Sequence, residues 1–237
     1  MNIAVIFAGG SGKRMNTVSR PKQFLELRGK PIIIYTLEQF DTHPDIDGIV
    51  VVCIEPWIPF LKKQLKKFEI TKVVDIVPGG ETGQDSIYNG LICARKHFAE
   101  DSCVLIHDGV RPLITQQTIT DNINKVHERG NCITCIPATE TFVVKEGNDL
   151  TIPSRANSLI ARAPQSFILR DILAAHEKAK EEGMHDFIDS CTMMSYYGHH
   201  MNTIIGPMEN IKITTPTDFF IFRAMVEVHE NQQIFGF

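Results

Sequence analysis

The sequence predicts an α/β protein built on a doubly wound, mostly parallel sheet, and three observations predict it. The runs NIAVIFA, DGIVVVCI, TKVVDIV and SCVLIHD are β-branched without polar alternation, the pattern of strands buried on both faces. Amphipathic segments separate them, and strand–helix–strand alternation builds a parallel sheet with ligands bound beyond the carboxyl ends of its strands. At 237 residues, 43% apolar and 22% charged, the chain can fill the core of one such domain over 1–237.

Each element follows in order. NIAVIFA is the first strand and runs into the turn AGGSG. Pro31 opens the helix PIIIYTLEQFDTH as a first-turn proline, DGIVVVCI is the second strand, and WIPFLKKQLKKF is its helix. TKVVDIV is the third strand, followed by the helix TGQDSIYNGLICARKHFAE, and SCVLIHD is the fourth strand. Thr115 caps QQTITDNINKVHERG, which Gly130 ends. NCITCIPA is another β-branched run. The stretch TETFVVKEGNDLTIPSRANSLIARAPQSF then alternates polar and apolar residues around EGND, which predicts a β-hairpin excursion, an arm over 139–157. The helices LRDILAAHEKAKEEG and IDSCTMMSYYG, the strand MNTIIG and the helix TPTDFFIFRAMVEVHE complete the domain.

Composition excludes several functions. The net charge is −4 with acids and bases interspersed, which argues against a nucleic-acid surface. No apolar run approaches the roughly 18 residues of a membrane span, and the chain opens on a strand pattern, so a cytoplasmic protein is expected. Six scattered cysteines fit reduced, mostly buried thiols. Cys132 and Cys135 form a C-x-x-C, but three residues apart on a strand they face opposite sides of the sheet, which disfavours a metal or redox pair.

The stretch IFAGGSGKRMNTVSRPK carries the chemistry. A P-loop needs glycine five places before Gly12 and Ser or Thr after Lys13, where this chain has Phe7 and Arg14. The dinucleotide fingerprint needs a third glycine where this chain has Met15. What remains is a strand-ending turn of bare amides, then Lys13, Arg14, Arg20 and Lys22 before the first acid, Glu26. Backbone amides followed by cations suit a triphosphate; the alternative is a basic surface turn.

The ordered motifs AGGSGKRM, PKQFLEL, HDGVRP, APQSF and NIKIT closely resemble the cytidylyltransferases that make CDP-linked polyols, whose relevant branches act on 2-C-methyl-D-erythritol 4-phosphate and on ribitol 5-phosphate. The resemblance implies a Rossmann-like nucleotidyltransferase sheet, a homodimer joined through the arm, Mg²⁺ as cofactor, and CTP and a small polyol phosphate as substrates. It places Arg14, Lys22 and Lys212 on the triphosphate and its transition state. Ala8, Gly9, Gly10, Gly12, Gly80, Asp85, Ser86 and Arg111 fall at nucleotide-binding positions, Gly80 and Ser86 against cytosine. Thr141, Arg155 and Asp189 fall at polyol-phosphate positions, and Asp108 and Glu209 at the metal. Simpler roles stand beside these: an ion pair or cap for Asp108, helix N-terminal capping for Asp85 and Ser86, a place in the first turn of its helix for Asp189, and a solvated charge for Lys13, Arg20 and Arg155. His107 reads as a packed strand residue, and His199 and His200 as surface groups. Two positions depart from the family pattern, Gly83 in place of arginine and Glu209 in place of the erythritol branch's aspartate. FAGGSGKRM, Val110 and Ala156 look more like the ribitol branch, which makes D-ribitol 5-phosphate the favoured acceptor. Another class, a nucleotide-binding regulatory protein without turnover, would not need the full set Arg14, Lys22, Asp108 and Lys212.

Overall fold

The computed structural model of the chain describes residues 1–9 and 20–235. In chain order the elements are β1 (Asn2–Ala8), β2 (Glu26–Leu27), β3 (Lys30–Pro31), α1 (Ile32–Asp41), β4 (Gly48–Cys53), α2 (Ile58–Lys67), β5 (Val73–Pro78), α3 (Gly83–His97), β6 (Cys103–Asp108), α4 (Gln116–Arg129), β7 (Asn131–Pro137), β8 (Val144–Glu146), β9 (Asp149–Thr151), β10 (Leu159–Ile168), α5 (Leu169–Glu181), α6 (Ser190–Tyr196), β11 (Thr203–Ile205) and α7 (Pro216–Phe235). The main sheet has the order β11-β7-β10-β6-β1-β4-β5. Every neighbouring pair in it is parallel except those made by β10, which runs antiparallel between β6 and β7.

Alternation along the strands divides the core into two layers. On β1, Ile3 and Val5 pack under α3 and α5, whereas Ala4 and Ile6 pack under α1, α2 and α4. Cys132 lies in the second layer and Cys135 in the first, as their spacing on one strand requires. None of the cysteines is paired in a disulfide, and burial pushes the Cys53 thiol up to about 12, the state of an inert packed group. A third cluster seats Phe222 of α7 against Leu27, Ile32 and Ile213. Among the described residues, no helix is long and apolar enough to cross a membrane.

Helix ends follow their sequence signals. Thr115 accepts the Thr118 N–H at 3.2 Å, and Gly130 closes α4 at φ 85°, where a side chain would be strained. Pro31 sits one place earlier than expected, as the N-cap of α1.

Two strands differ from the sequence reading. TKVVDIV forms β5, but at the sheet edge and only half-buried, because β-branched content does not distinguish an edge from the interior. LIARAPQSFI, read as part of the hairpin excursion, is the long strand β10. The hairpin proper is smaller: β8 and β9 pair with each other around Gly147 and form a separate two-stranded sheet.

Candidate active site

The site gathers where β1 and β6 end. Asp108, the last residue of β6, is 4% exposed, and a lone carboxylate at that depth would be costly. The turn after it returns Arg111, whose Nε donates to Asp108 Oδ2 at 2.7 Å, while Lys212 Nζ reaches Oδ1 at 2.5 Å. Burial pushes the Asp108 carboxyl up, but Lys212 and Arg111 together outweigh it and hold it at about 2, so it is ionised at neutral pH. Neighbouring His107 is fully buried, donates from Nε2 to the Arg111 carbonyl at 3.3 Å, and is driven by burial to about 4. It is a packed neutral ring, as its place on the strand suggested.

The segment carrying Lys212 is fastened by hydrogen bonds. Arg111 Nη1 donates to the Asn210 carbonyl at 2.9 Å, and Arg162 of β10 donates to the Met208 and Asn210 carbonyls, each at 2.9 Å. Asn210 Nδ2 donates in turn to the Ala163 carbonyl at 2.8 Å. Burial, then the neighbouring Arg111, push Arg162 below its usual range, with the exposed Glu209 carboxylate opposing. Two cations thus clamp one carboxylate and Arg162 lines the same cleft, an excess of positive charge suited to a polyanion.

At the end of β1, Gln23 Nε2 donates to the Ala8 carbonyl at 2.6 Å and ties the turn bearing half-buried Lys22 to the strand. The Arg20 guanidinium pairs with Glu26 at 2.6 Å and lies 5.7 Å from the Phe60 ring centre. Gly10, Gly12, Lys13 and Arg14 lie outside the described residues. After β5, the Ser86 hydroxyl accepts the Gly80 N–H at 3.0 Å and donates to the Thr82 carbonyl at 2.9 Å. Thr82 and Asp85 form a reciprocal capping box on α3. A Cβ on Gly80 would lie 2.3 Å from that of Asp85, so that loop needs bare backbone, and one on Gly9 would lie 3.2 Å from Ser86 Oγ, a tight contact.

A cleft of about 300 Å³ runs between these elements, the lower end of ligand-pocket sizes. Asp108, Arg111, Arg162 and Lys212 line one part, and Gln165, His176, Asp189 and Ser190 another. Asp189 caps α6 by accepting the Thr192 N–H at 2.9 Å and also accepts from Gln165 Nε2 at 3.1 Å. Burial raises its pKa, but these bonds together hold it below the ordinary carboxylate range.

The family model for 2-C-methyl-D-erythritol 4-phosphate cytidylyltransferase, IspD, matches residues 2–228. The chain belongs to the IspD family. Among proteins similar to this IspD family member, the ribitol-5-phosphate cytidylyltransferase of Vibrio parahaemolyticus is 53% identical over 100% of both chains. That of Streptococcus agalactiae serotype III is 48% identical over the same shares. A 2-C-methyl-D-erythritol 4-phosphate cytidylyltransferase of Clostridium botulinum is 39% identical over 95% of this chain and 97% of its own. The structure of 4-diphosphocytidyl-2C-methyl-D-erythritol synthase from Anaerococcus prevotii matches with a TM-score of 0.79 at 26% identity, over 95% of this chain and 96% of its own.

In this IspD chain the structure brings Asp108, Arg111, Asp189 and Lys212 to one cleft. Thr141 and Arg155 are exposed on the arm and are not among the residues lining it; Arg155 Nη1 donates to the Thr139 carbonyl at 2.9 Å. Sequence reasoning missed Arg162, Gln165, His176 and Ser190. A signal existed for Arg162, a cation flanked by Ala161 and Ala163 in a mostly apolar strand, where an unused charge is unfavourable.

Proposed function

We propose that this IspD family member transfers the cytidylyl group of CTP to D-ribitol 5-phosphate, giving CDP-ribitol and pyrophosphate. The observation that carries the reading is the ionised Asp108 held between Arg111 and Lys212 at the end of β6, with Arg162 lining the same cleft. The 53% and 48% identity to ribitol-5-phosphate cytidylyltransferases supports that acceptor over methylerythritol phosphate. A phosphate oxygen of the acceptor attacks the α-phosphorus of CTP, and the bond to the β-phosphate breaks. The attacking group is already ionised, so the chain's work is to align two polyanions and neutralise their charge. Lys212, Arg111, Lys22 and, from the glycine turn, Arg14 supply that charge. Asp108 and Glu209 fit Mg²⁺ by donor chemistry, hard carboxylate oxygens with Asp108 kept ionised, the type that shares the ion with substrate phosphates. When bound, Mg²⁺ supplies charge neutralisation on the triphosphate and the leaving pyrophosphate.

The reading also makes the protein a cytoplasmic homodimer. Phe142, Val143, Leu150 and Ile152 expose apolar surface on the arm, which a second copy would cover while presenting Thr141 and Arg155 to its partner's acceptor phosphate. Pyrophosphate release from CTP over a panel of polyol phosphates tests the reading. D-ribitol 5-phosphate is expected to give the highest kcat/KM, and excess EDTA to abolish turnover. A tenfold preference for methylerythritol phosphate would reverse the acceptor, and thermal stabilisation by NAD but not by CTP with Mg²⁺ would reverse the class.

A further inference from the structure

His176 of α5 is 2% exposed and Ser190, the first residue of α6, is 3% exposed, yet both line the cleft. Neither ring nitrogen of His176 nor the Ser190 hydroxyl has a hydrogen-bond partner among the described residues. Buried polar atoms are nearly always partnered, so three orphaned atoms beside one cavity call for a ligand that satisfies them. The cavity here is the one whose other part carries Asp108, Arg111 and Lys212.

The geometry points to a hydroxyl-recognising subsite: His176 and Ser190 bind the polyol chain of the acceptor at the buried end of the cleft, away from the cations that take phosphate. This rests on the cytidylyl-transfer reading and goes beyond it, because the resemblance places Thr141, Arg155 and Asp189 at the acceptor and gives His176 and Ser190 no role. The chemistry matches on both sides. A neutral imidazole offers one donor and one acceptor, a serine hydroxyl offers both, and each hydroxyl of a polyol does the same. Burial keeps the ring neutral by driving it to about 4, against a smaller upward pull from Asp85. Gln165 and Asp189 do not compete for the ring, since they bond to each other and to the start of α6. A hydrocarbon or methyl group in this place would leave all three atoms unpaired, so the subsite favours an acceptor hydroxylated along its length.

The test compares wild type with H176L, H176Q and S190A. Steady-state kinetics with D-ribitol 5-phosphate and CTP are run beside calorimetric titration of D-ribitol 5-phosphate. H176L is expected to raise KM for D-ribitol 5-phosphate at least tenfold, more than it lowers kcat, with KM for CTP changed less than threefold. H176Q, which restores a donor and an acceptor, should recover part of the loss, and S190A should shift KM the same way by a smaller factor. Unliganded H176L should melt no lower than wild type, because it removes unpaired polar atoms from a buried place. Wild-type turnover with an unchanged acceptor KM in H176L overturns the subsite and leaves the enzyme reading intact. Should H176L lack a folded melting transition, H176Q and S190A decide, and unchanged acceptor KM in both overturns the subsite. Absence of both turnover and D-ribitol 5-phosphate binding in wild type overturns the enzyme reading and the subsite together.

Discussion

At the scale of single residues, the site depends on charges that are fixed before substrate arrives. Asp108 is held by Arg111 and Lys212 at 2.7 and 2.5 Å, so the cations that the proposed reaction assigns to phosphate already have a defined place. Lys22 is fixed less directly, through Gln23 and the Ala8 carbonyl. Lys22→Ala is expected to lower kcat at least about a hundredfold, the scale for losing one transition-state charge contact. Steady-state kinetics check this, and a weaker CTP affinity with kcat intact would remove Lys22 from the chemical step. His176 gives a second residue-scale expectation. Its pKa lies at about 4 in the folded chain, driven down by burial, with Asp85 of α3 opposing and Lys180 of α5 assisting, and its ring lies against Tyr88. The unfolded chain takes up the proton near 6.5, so the stability tied to the neutral ring is complete above that pH and is lost as pH falls toward 4. At about 1.4 kcal/mol per pH unit this is on the order of 3 kcal/mol. Melting temperature measured between pH 7 and 4 should fall more steeply for wild type than for H176L, and equal slopes would contradict the assignment.

At the scale of elements, local signals were legible and pairings were not. Thr115 and Gly130 bound α4 as their residue types predict, because a side-chain oxygen at one end and a left-handed glycine at the other act within a few residues. The roles of Asp85 and Ser86 stayed open in the sequence, since the same residues serve to cap a helix and to meet a ligand; the structure shows Asp85 in the capping box of α3. β10 escaped because its partners lie far away in the chain, Ile106 and Ile133 both facing Gln165, and nothing local announces that pairing. The Gly80 loop supplies a sharp test of packing at the α3 start. Gly80→Ala would bring a Cβ within 2.3 Å of Asp85 and should cost about 1–3 kcal/mol. Gly83→Ala meets no atom within 4 Å and should leave stability unchanged or raise it by up to about 1 kcal/mol. Chemical denaturation of the two variants checks the contrast, and equal losses would show that the loop shifts to accept the methyl group.

At the scale of the whole molecule, the arm exposes Leu150 at 66% and Ile152 at 67%, which this chain alone leaves in water. Subunits carrying Arg155→Ala and subunits carrying Lys22→Ala should each be inactive alone and regain part of the activity when mixed, because some heterodimers then hold one intact site. Absence of recovery after verified subunit exchange would put Arg155 in its own subunit's site or in neither. The ordered motifs made the enzyme class legible, whereas the cleft joins β6, β10, α5, α6 and the Lys212 segment, distances in chain that only the completed sheet closes. That sheet has an order of assembly written into it. β6 and β7 are made before β10, yet β10 lies between them. A nascent chain that has left the ribosome only as far as residue 158 therefore holds one unsealed edge on β6 and two on β7, beside an arm that exposes Leu150 and Ile152, a state prone to pairing with neighbouring chains. Emergence of Leu159–Ile168 closes the gap between β6 and β7 in a single insertion, leaving only the outer edge of β7 for β11, and the same event delivers Arg162 and Gln165 to the cleft.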